Sequence, residues 1–154
     1  MTILIVDDLL SSKHCDDIIN HGNVQDNWIK ESSGQYISYD VLFAEQIISK
    51  LETTINKSIP LGYEIQRDWF QLVKWNVGTG MNFHIDIGKP DTKFASILYL
   101  NSNYEGGDTI FIDGTSVAPV KGRTLFFDGI KYKHGVTPVT NGTRYVIAVW
   151  YKLK

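Results

Sequence analysis

The 154-residue sequence has little of what marks secreted, membrane-bound or nucleic-acid-binding proteins. Its single cysteine, Cys15, excludes an internal disulfide framework and is typical of a reducing compartment. Lysine and arginine number 15 and aspartate and glutamate 17, so the net charge of −2 gives no basic footprint for nucleic acid or an anionic membrane. Asp7 and Asp8 interrupt the short apolar N-terminal run, which predicts neither a signal peptide nor a membrane span. We expect a soluble, cytoplasmic protein with one domain over residues 1–154.

The N-terminal part of the sequence predicts two helices. The apolar residues recur at helical spacing in two segments, and Cys15 lies on the apolar stripe of the first, where a small buried side chain is expected. In chain order we expect a strand over 2–6, a helix over 11–21 ended by Gly22, a long loop or weak hairpin over 23–39, and a helix from an Asp40 cap to Pro60.

After residue 60 the pattern changes to short strands separated by glycine-containing turns. We expect strands over 63–67, 69–77, 81–86, 94–101, 109–112, 116–120, 124–127, 136–139 and 143–152. Many short strands with close turns are typical of an antiparallel sandwich or barrel, with the two helices packed outside it. The predicted fold class is therefore mainly β with flanking α-helices.

A histidine and a carboxylate lie two residues apart in one of these strands. His84 and Asp86 occupy positions i and i+2, so both side chains point to the same face of the strand. His134 is the other candidate ligand histidine in the β region. Two histidines and one carboxylate form the facial triad of non-haem iron(II), which leaves coordination positions free for oxygen and a co-substrate. Zinc accepts the same ligands, and two surface histidines without any metal are the plainer alternative.

The last predicted strand places a charge on an apolar face. Arg144, Val146, Ala148 and Trp150 alternate along one face, and the other face is also largely apolar. A guanidinium buried beside Val146 and Ala148 is costly without an anion, so an inward-facing Arg144 implies a bound carboxylate. The alternative is that Arg144 lies at the strand end and extends to solvent. The Asn141–Gly142 turn is expected to fold this strand back along the one that begins near His134.

These residues together resemble a known family. The sequence is similar to the prolyl 4-hydroxylase group of iron(II)- and 2-oxoglutarate-dependent dioxygenases, and the likeness extends over nearly the whole chain. The motifs that carry it, in order, are Val6-Asp7-Asp8-Leu9-Leu10-Ser11, His84-x-Asp86, Tyr99-Leu100-Asn101, Gly106-Gly107-x-Thr109-x-Phe111, Pro119-x-x-Gly122, His134, Pro138-Val139 and Gly142-Thr143-Arg144.

The resemblance implies a fold and a set of roles. The fold would be a double-stranded β-helix (a jelly roll, cupin-like), and His84, Asp86 and His134 would bind iron(II). Arg144 matches the residue that pairs with the distal carboxylate of 2-oxoglutarate, and Tyr99 matches a tyrosine that hydrogen-bonds it. Trp150 matches a tryptophan that lines the active site. The sequence departs from the family pattern at Trp75, which replaces a tyrosine near co-substrate or substrate, so that Trp75 is either a substrate-binding residue or part of the core.

The resemblance also implies a reaction. We expect hydroxylation of prolyl residues in a peptide or protein, with iron(II), 2-oxoglutarate and O₂ consumed to give succinate and CO₂; ascorbate is a further candidate cofactor. Hydroxylation of another side chain, a free amino acid or a small molecule is the alternative within this class. A β-sandwich binding module with a structural metal site is the non-enzymatic alternative. The sequence assigns neither the substrate nor the oligomeric state.

Overall fold

The computed structural model describes residues 3–59, 63–87 and 89–154. They form two helices, α1 (Ser12–Gln25) and α2 (Ala44–Ser58), and thirteen short to medium strands. The strands are β1 (Leu4–Val6), β2 (Ile29–Lys30), β3 (Tyr36–Ser38), β4 (Ile65–Trp75), β5 (Met81–His84), β6 (Phe94–Tyr99), β7 (Glu105–Gly106), β8 (Thr109–Phe111), β9 (Ser116–Val117), β10 (Thr124–Asp128), β11 (His134–Val136), β12 (Val139–Asn141) and β13 (Arg144–Leu153). None of the helices in these ranges is long and apolar enough to cross a membrane.

The strands form two facing antiparallel sheets. The larger sheet has the order β1-β10-β6-β13-β4-β3-β2, and the smaller one has the order β5-β11-β8-β9. A separate two-stranded ribbon joins β12 to β7. Since β13 lies at the centre of the larger sheet and pairs with β4 and β6, both of its faces are covered. The prediction of an apolar last strand, buried on both sides, is confirmed.

Two apolar cores separate three layers. In the outer core, α1 and α2 pack on one face of the larger sheet, where Leu51 and Ile55 meet Leu72 and Ile147. The inner core fills the space between the two sheets and includes Tyr99, Phe111, Phe127, Val136 and Val146, among others. Alternate residues of one strand therefore serve different cores, as the two-residue period of a strand requires.

Two predicted helix boundaries are wrong. Helix α1 continues past Gly22 to Gln25, because Gly22 is buried against the sheet instead of ending the helix. A Cβ at this position would lie 2.8 Å from Leu72 Cδ2, so glycine permits the close approach of α1 to β4. Helix α2 begins at Ala44 rather than after Asp40, whose carboxylate is bound by His21 and Asn27. The expected end at Pro60 lies outside the described residues.

The strand pairing also departs from the prediction in several places. The two strands expected before and after Asp68 are one strand, β4, and the polar segment after α1 forms the hairpin β2–β3. The short strand β7 was not predicted. The Asn141–Gly142 turn does not pair the last strand with the one that begins at His134: β12 pairs with β7, and β13 enters the other sheet. Arg144 therefore approaches His134 across the sandwich rather than along a hairpin.

Candidate active site

The structure brings His84, Asp86 and His134 together on the smaller sheet. His84 ends β5 and lies directly opposite His134, the first residue of β11, in the antiparallel register. Asp86 follows β5, where its backbone N–H donates a 2.9 Å hydrogen bond to Gly129 O. Asp86 Oδ1 lies 3.3 Å from His134 Nε2 and 3.5 Å from His84 Nε2. One ligand atom from each of the three residues falls within 4.8 Å of the others, which is close enough to hold one metal ion.

The backbone fixes both imidazoles in the same way. His84 Nδ1 lies 2.8 Å from Asn82 O, and His134 Nδ1 lies 2.8 Å from Tyr132 O. A carbonyl oxygen only accepts, so each Nδ1 carries the proton and donates it. In the neutral ring, each Nε2 then carries a lone pair that can bind a metal ion, whereas a protonated ring donates its Nε2–H to Asp86 Oδ1. Two such nitrogens and a carboxylate oxygen are suited to holding a cation, and such backbone partners are typical of metal-ligating histidines.

Asp86 is held as a carboxylate. Burial by itself raises the pKa of Asp86, but hydrogen bonding and charge interactions with His134 and His84 outweigh it and lower the pKa to about 2. The same interaction with Asp86 raises the pKa of His84. The second oxygen, Oδ2, is buried without a hydrogen-bond donor in the described part of the chain. A Cβ at position 129 would collide with this oxygen, so the glycine leaves room for the carboxylate.

A second polar site surrounds Arg144. Its side chain is 1% exposed, and no carboxylate in residues 3–59, 63–87 or 89–154 pairs with it. Nη2 donates a 3.2 Å hydrogen bond to Thr109 Oγ1, which lies 2.6 Å from Tyr99 Oη. Tyr104 Oη is buried nearby and lacks a partner among the described residues, as does Arg144 Nε. Burial raises the pKa of Tyr104 to about 12, although the charge of Arg144 acts in the opposite direction. A buried guanidinium surrounded by hydroxyl donors is suited to binding a carboxylate.

The register sets the spacing between the two polar sites. Thr109 lies opposite Val136, and Phe111 lies opposite His134, so the Arg144–Thr109 contact is two residues along β11 from the metal-ligating ring. Two strand residues correspond to about 7 Å. A short dicarboxylate could therefore reach Arg144 with one end and the metal with the other.

A cavity of about 90 Å³ lies between the sheets and includes all three triad residues in its wall. Trp75 and Trp150 also line it, together with Val73, Val136 and Val146. Trp75 is 5% exposed, and the centroid of its ring lies 5.0 Å from Arg144 Cζ, so the residue flanks the guanidinium. Its Nε1 finds no acceptor in the described structure. A larger cavity of about 330 Å³ between α1 and α2 is remote from the triad and has a mainly apolar lining.

Some members of the site lay beyond the sequence prediction. Thr109 and Gly129 carried no predicted role, although Thr109 stood within a quoted motif, and Tyr104 and Trp69 were not singled out for the site. Thr109 belongs to the site because it lies opposite Val136 in the β8–β11 register. Gly129 belongs to it because its backbone carbonyl oxygen accepts a hydrogen bond from the Asp86 backbone N–H. A buried hydroxyl or glycine has no sequence signal of its own, because its role depends on what the fold places beside it.

Comparison with known proteins decides the family. The model of the 2OG-Fe(II) oxygenase superfamily matches residues 70–152, which is more than half of the chain and includes the triad and Arg144. The chain belongs to the 2OG-Fe(II) oxygenase superfamily. Enzymes of this superfamily use iron(II), 2-oxoglutarate and O₂, as the resemblance implied. This oxygenase has the residues that such ligands require: three converging metal ligands, and a buried arginine with no counter-ion in the part of the chain that the structure describes.

Curated relatives of this oxygenase include prolyl 3-hydroxylases. Prolyl 3-hydroxylase 2 of Homo sapiens is 36% identical over 67 residues, and prolyl 3-hydroxylase 1 of the same species is 37% identical over 67 residues. Each match covers 39% of this chain, but 10% of the first relative and 9% of the second. The chain thus spans about a tenth of the length of these relatives.

Solved structures share the fold. A prolyl 4-hydroxylase of Pseudomonas putida superimposes with a TM-score of 0.79 at 17% identity, covering 99% of this oxygenase and 92% of that chain. A prolyl hydroxylase from Trichoplax adhaerens, solved with a hypoxia inducible factor peptide fragment, gives 0.78 at 20% identity, covering 97% and 83%. The predicted double-stranded β-helix with flanking helices is confirmed.

Proposed function

We propose that this oxygenase hydroxylates prolyl residues in a peptide or protein, with 2-oxoglutarate converted to succinate and CO₂. One observation carries the proposal: the three-ligand metal site borders a cavity, and Arg144, buried without a carboxylate partner among the described residues, contacts Thr109 at a point two strand residues, about 7 Å, along β11 from His134. The prolyl substrate class rests on the relatives, which are named as prolyl hydroxylases.

Each part of the site has a role in this reaction. His84, Asp86 and His134 would hold iron(II), which supplies the oxidation of an unactivated C–H bond when 2-oxoglutarate and O₂ are bound. Arg144 and the Tyr99–Thr109 hydroxyl pair would bind the distal carboxylate and so orient the co-substrate. The apolar wall formed by Val73, Val136 and Val146, among others, would exclude water from the reacting atoms.

A purely structural metal site fits the structure less well. Structural zinc sites are closed by four protein ligands, whereas catalytic sites keep an open position. In the described residues, three side chains converge and a cavity opens beside them. A structural role would also leave unexplained why Arg144 is buried without a carboxylate partner in residues 3–59, 63–87 and 89–154, because an uncompensated buried charge is destabilising.

The test combines a spectrum with a product measurement. Anaerobic addition of iron(II) and 2-oxoglutarate should give a weak visible charge-transfer band. With O₂ and a panel of proline-containing peptides, mass spectrometry should show a 16 Da increase on proline, matched by succinate release. A band and succinate without any modified proline would reject the prolyl substrate while keeping the oxygenase. The absence of both band and succinate would contradict the enzymatic function.

A further inference from the structure

Two cavities meet at the metal site and share Trp150. The inner one, described above, extends toward the core beside Trp75. The outer one, of about 230 Å³, is lined by Trp69, His84, Ile85, Asp86, Ile87, Thr92 and Trp150. If the co-substrate occupies the inner cavity, the outer cavity is the approach that reaches both His84 and Asp86, whereas a third cavity, of about 380 Å³, includes Asp86 but neither histidine. The substrate residue would therefore meet Trp150 as it enters.

Trp150 is supported by a second tryptophan. The rings of Trp69 and Trp150 stack with their centroids 3.7 Å apart and an interplanar angle of 6°. The two residues are direct partners in the β4–β13 register, so the backbone pairing sets the stack. Lys89 Nζ lies 5.7 Å from the Trp69 ring centroid. The Trp150 side chain is only half-buried, so its ring would otherwise be free to rotate. Stacking against Trp69 removes much of that rotational freedom.

A β-bulge lies immediately beside the stack. Trp150 pairs with Trp69 while Tyr151 pairs with Arg67, so Asp68 is the extra residue of β4. Asp68 accepts a hydrogen bond from Thr92 Oγ1, and its other oxygen lies 3.9 Å from Lys89 Nζ. Bulges next to active sites redirect side chains. This one connects the Trp69 side of the stack to Thr92, which lines the outer cavity.

Trp69 also carries an unused donor. Its Nε1 is buried, and no acceptor for it exists in residues 3–59, 63–87 or 89–154. Aromatic surfaces of this kind also dock proline rings in peptide-recognition grooves.

We propose that the Trp69–Trp150 stack is the platform on which the outer cavity holds the substrate residue against the metal. Trp69 is then a positioning residue, because it fixes the ring plane of Trp150. The prolyl identity of the substrate residue rests on the proposed function, whereas the need for the stack follows from the geometry of the outer cavity.

Two substitutions of Trp69 test whether its aromatic ring is needed. Trp69→Leu removes the aromatic partner of Trp150, and Trp69→Phe retains a ring in the stack but removes the N–H. Stacked indoles give an exciton couplet in far-ultraviolet circular dichroism, and both variants should lose the couplet that Trp69 and Trp150 produce. Trp28→Phe is the matched control. Trp28 Nε1 is also buried without a partner among the described residues, but this tryptophan packs against Lys74 and Tyr145 and lines neither cavity.

Peptide binding is measured on protein loaded with zinc and 2-oxoglutarate, which cannot turn over. The panel contains proline peptides and matched peptides with valine in place of proline. We expect proline peptides to bind the wild type and Trp28→Phe with the same affinity. Trp69→Leu should lower this affinity about tenfold, and the affinity of Trp69→Phe should lie between those of the wild type and Trp69→Leu. Affinity for 2-oxoglutarate, measured without peptide, should be unchanged in all three variants. Thermal unfolding verifies that each variant is folded.

The outcomes distinguish the platform from the prolyl activity. Binding of proline peptides that depends on Trp69 supports both. Dependence on Trp69 with valine peptides bound as well as proline peptides supports the platform and contradicts the prolyl preference. If the wild type and both Trp69 variants bind peptide equally, or if no peptide binds at all, the platform is rejected. Should Trp69→Leu fail to fold, the comparison of Trp69→Phe with the wild type decides.

Discussion

Arg144 Nη2 donates its hydrogen bond to Thr109 Oγ1, and this contact joins the centre of the larger sheet to the smaller sheet that carries the metal ligands. Tyr99 Oη contacts the same threonine oxygen at 2.6 Å. The result is a cationic site inside the sandwich with its own hydrogen-bonding partners but no counter-ion among the described residues.

Replacing Arg144 by methionine should separate stability from function. The affinity for 2-oxoglutarate should fall on the order of 100-fold, because a buried carboxylate loses its charged partner. The ligand-free protein should be as stable as the wild type or more stable by about 1–4 kcal/mol, since an apolar side chain of similar volume replaces an unpaired buried charge. Calorimetry with 2-oxoglutarate and thermal unfolding measure the two effects. A loss of fold or of metal binding would show instead that Arg144 is structural.

His134→Ala should abolish stoichiometric binding of manganese(II) or iron(II) while the protein remains folded. The substitution leaves two of three ligands, and it removes a ring packed against Phe127, so unfolding should require about 1–3 kcal/mol less free energy. His21→Ala is the matched control, because His21 bonds Asp40 on the surface of α1. Metal titration by calorimetry distinguishes the two variants. Equal metal affinity in both would contradict the assignment of His134.

Gly129→Ala should affect the metal more than the fold. The added methyl group must displace Asp86 Oδ2, and we expect metal affinity to fall about 10–100-fold, as when the support of a ligand is removed. Gly114→Ala is the control. The backbone at Gly114 has a φ of +93°, which strains any residue with a Cβ, but an added Cβ would have no atom within 4 Å. This substitution should therefore lower stability by about 1 kcal/mol and leave metal affinity unchanged. Unaltered metal binding in Gly129→Ala would mean that Asp86 moves freely.

Tyr104 should make stability depend on alkaline pH. Burial raises its pKa to about 12, above the value near 10 expected in the unfolded chain. The folded state therefore retains a proton that the unfolded state loses. The stabilising contribution is complete below pH 10 and is lost as the pH rises from 10 through 12. Between these values the free energy of unfolding, measured by urea denaturation, should decrease more steeply in the wild type than in Tyr104→Phe. If the free energy of unfolding fell equally steeply with pH in both proteins, the Tyr104 hydroxyl would be exposed to water rather than buried.

The sequence was informative wherever a property is local. His84 and Asp86 share a direction because side chains alternate along an extended chain, and the apolar alternation around Arg144 already indicated burial on both faces. The sequence was misleading where a local signal competed with packing. Gly22 is a plausible helix stop in isolation, but the close approach of Leu72 makes it an interior residue of α1.

The sequence by itself determined the chemistry of the ligands: two imidazoles, one carboxylate and one guanidinium. Only the tertiary structure decided their distances, because these depend on which distant strands pair and in which register. Pairing β11 with both β5 and β8 places His134 opposite His84 and sets Thr109 two residues further along. Pairing β13 with β4 brings Trp69 onto Trp150. Such contacts join residues far apart in the chain, and no local pattern encodes their alignment.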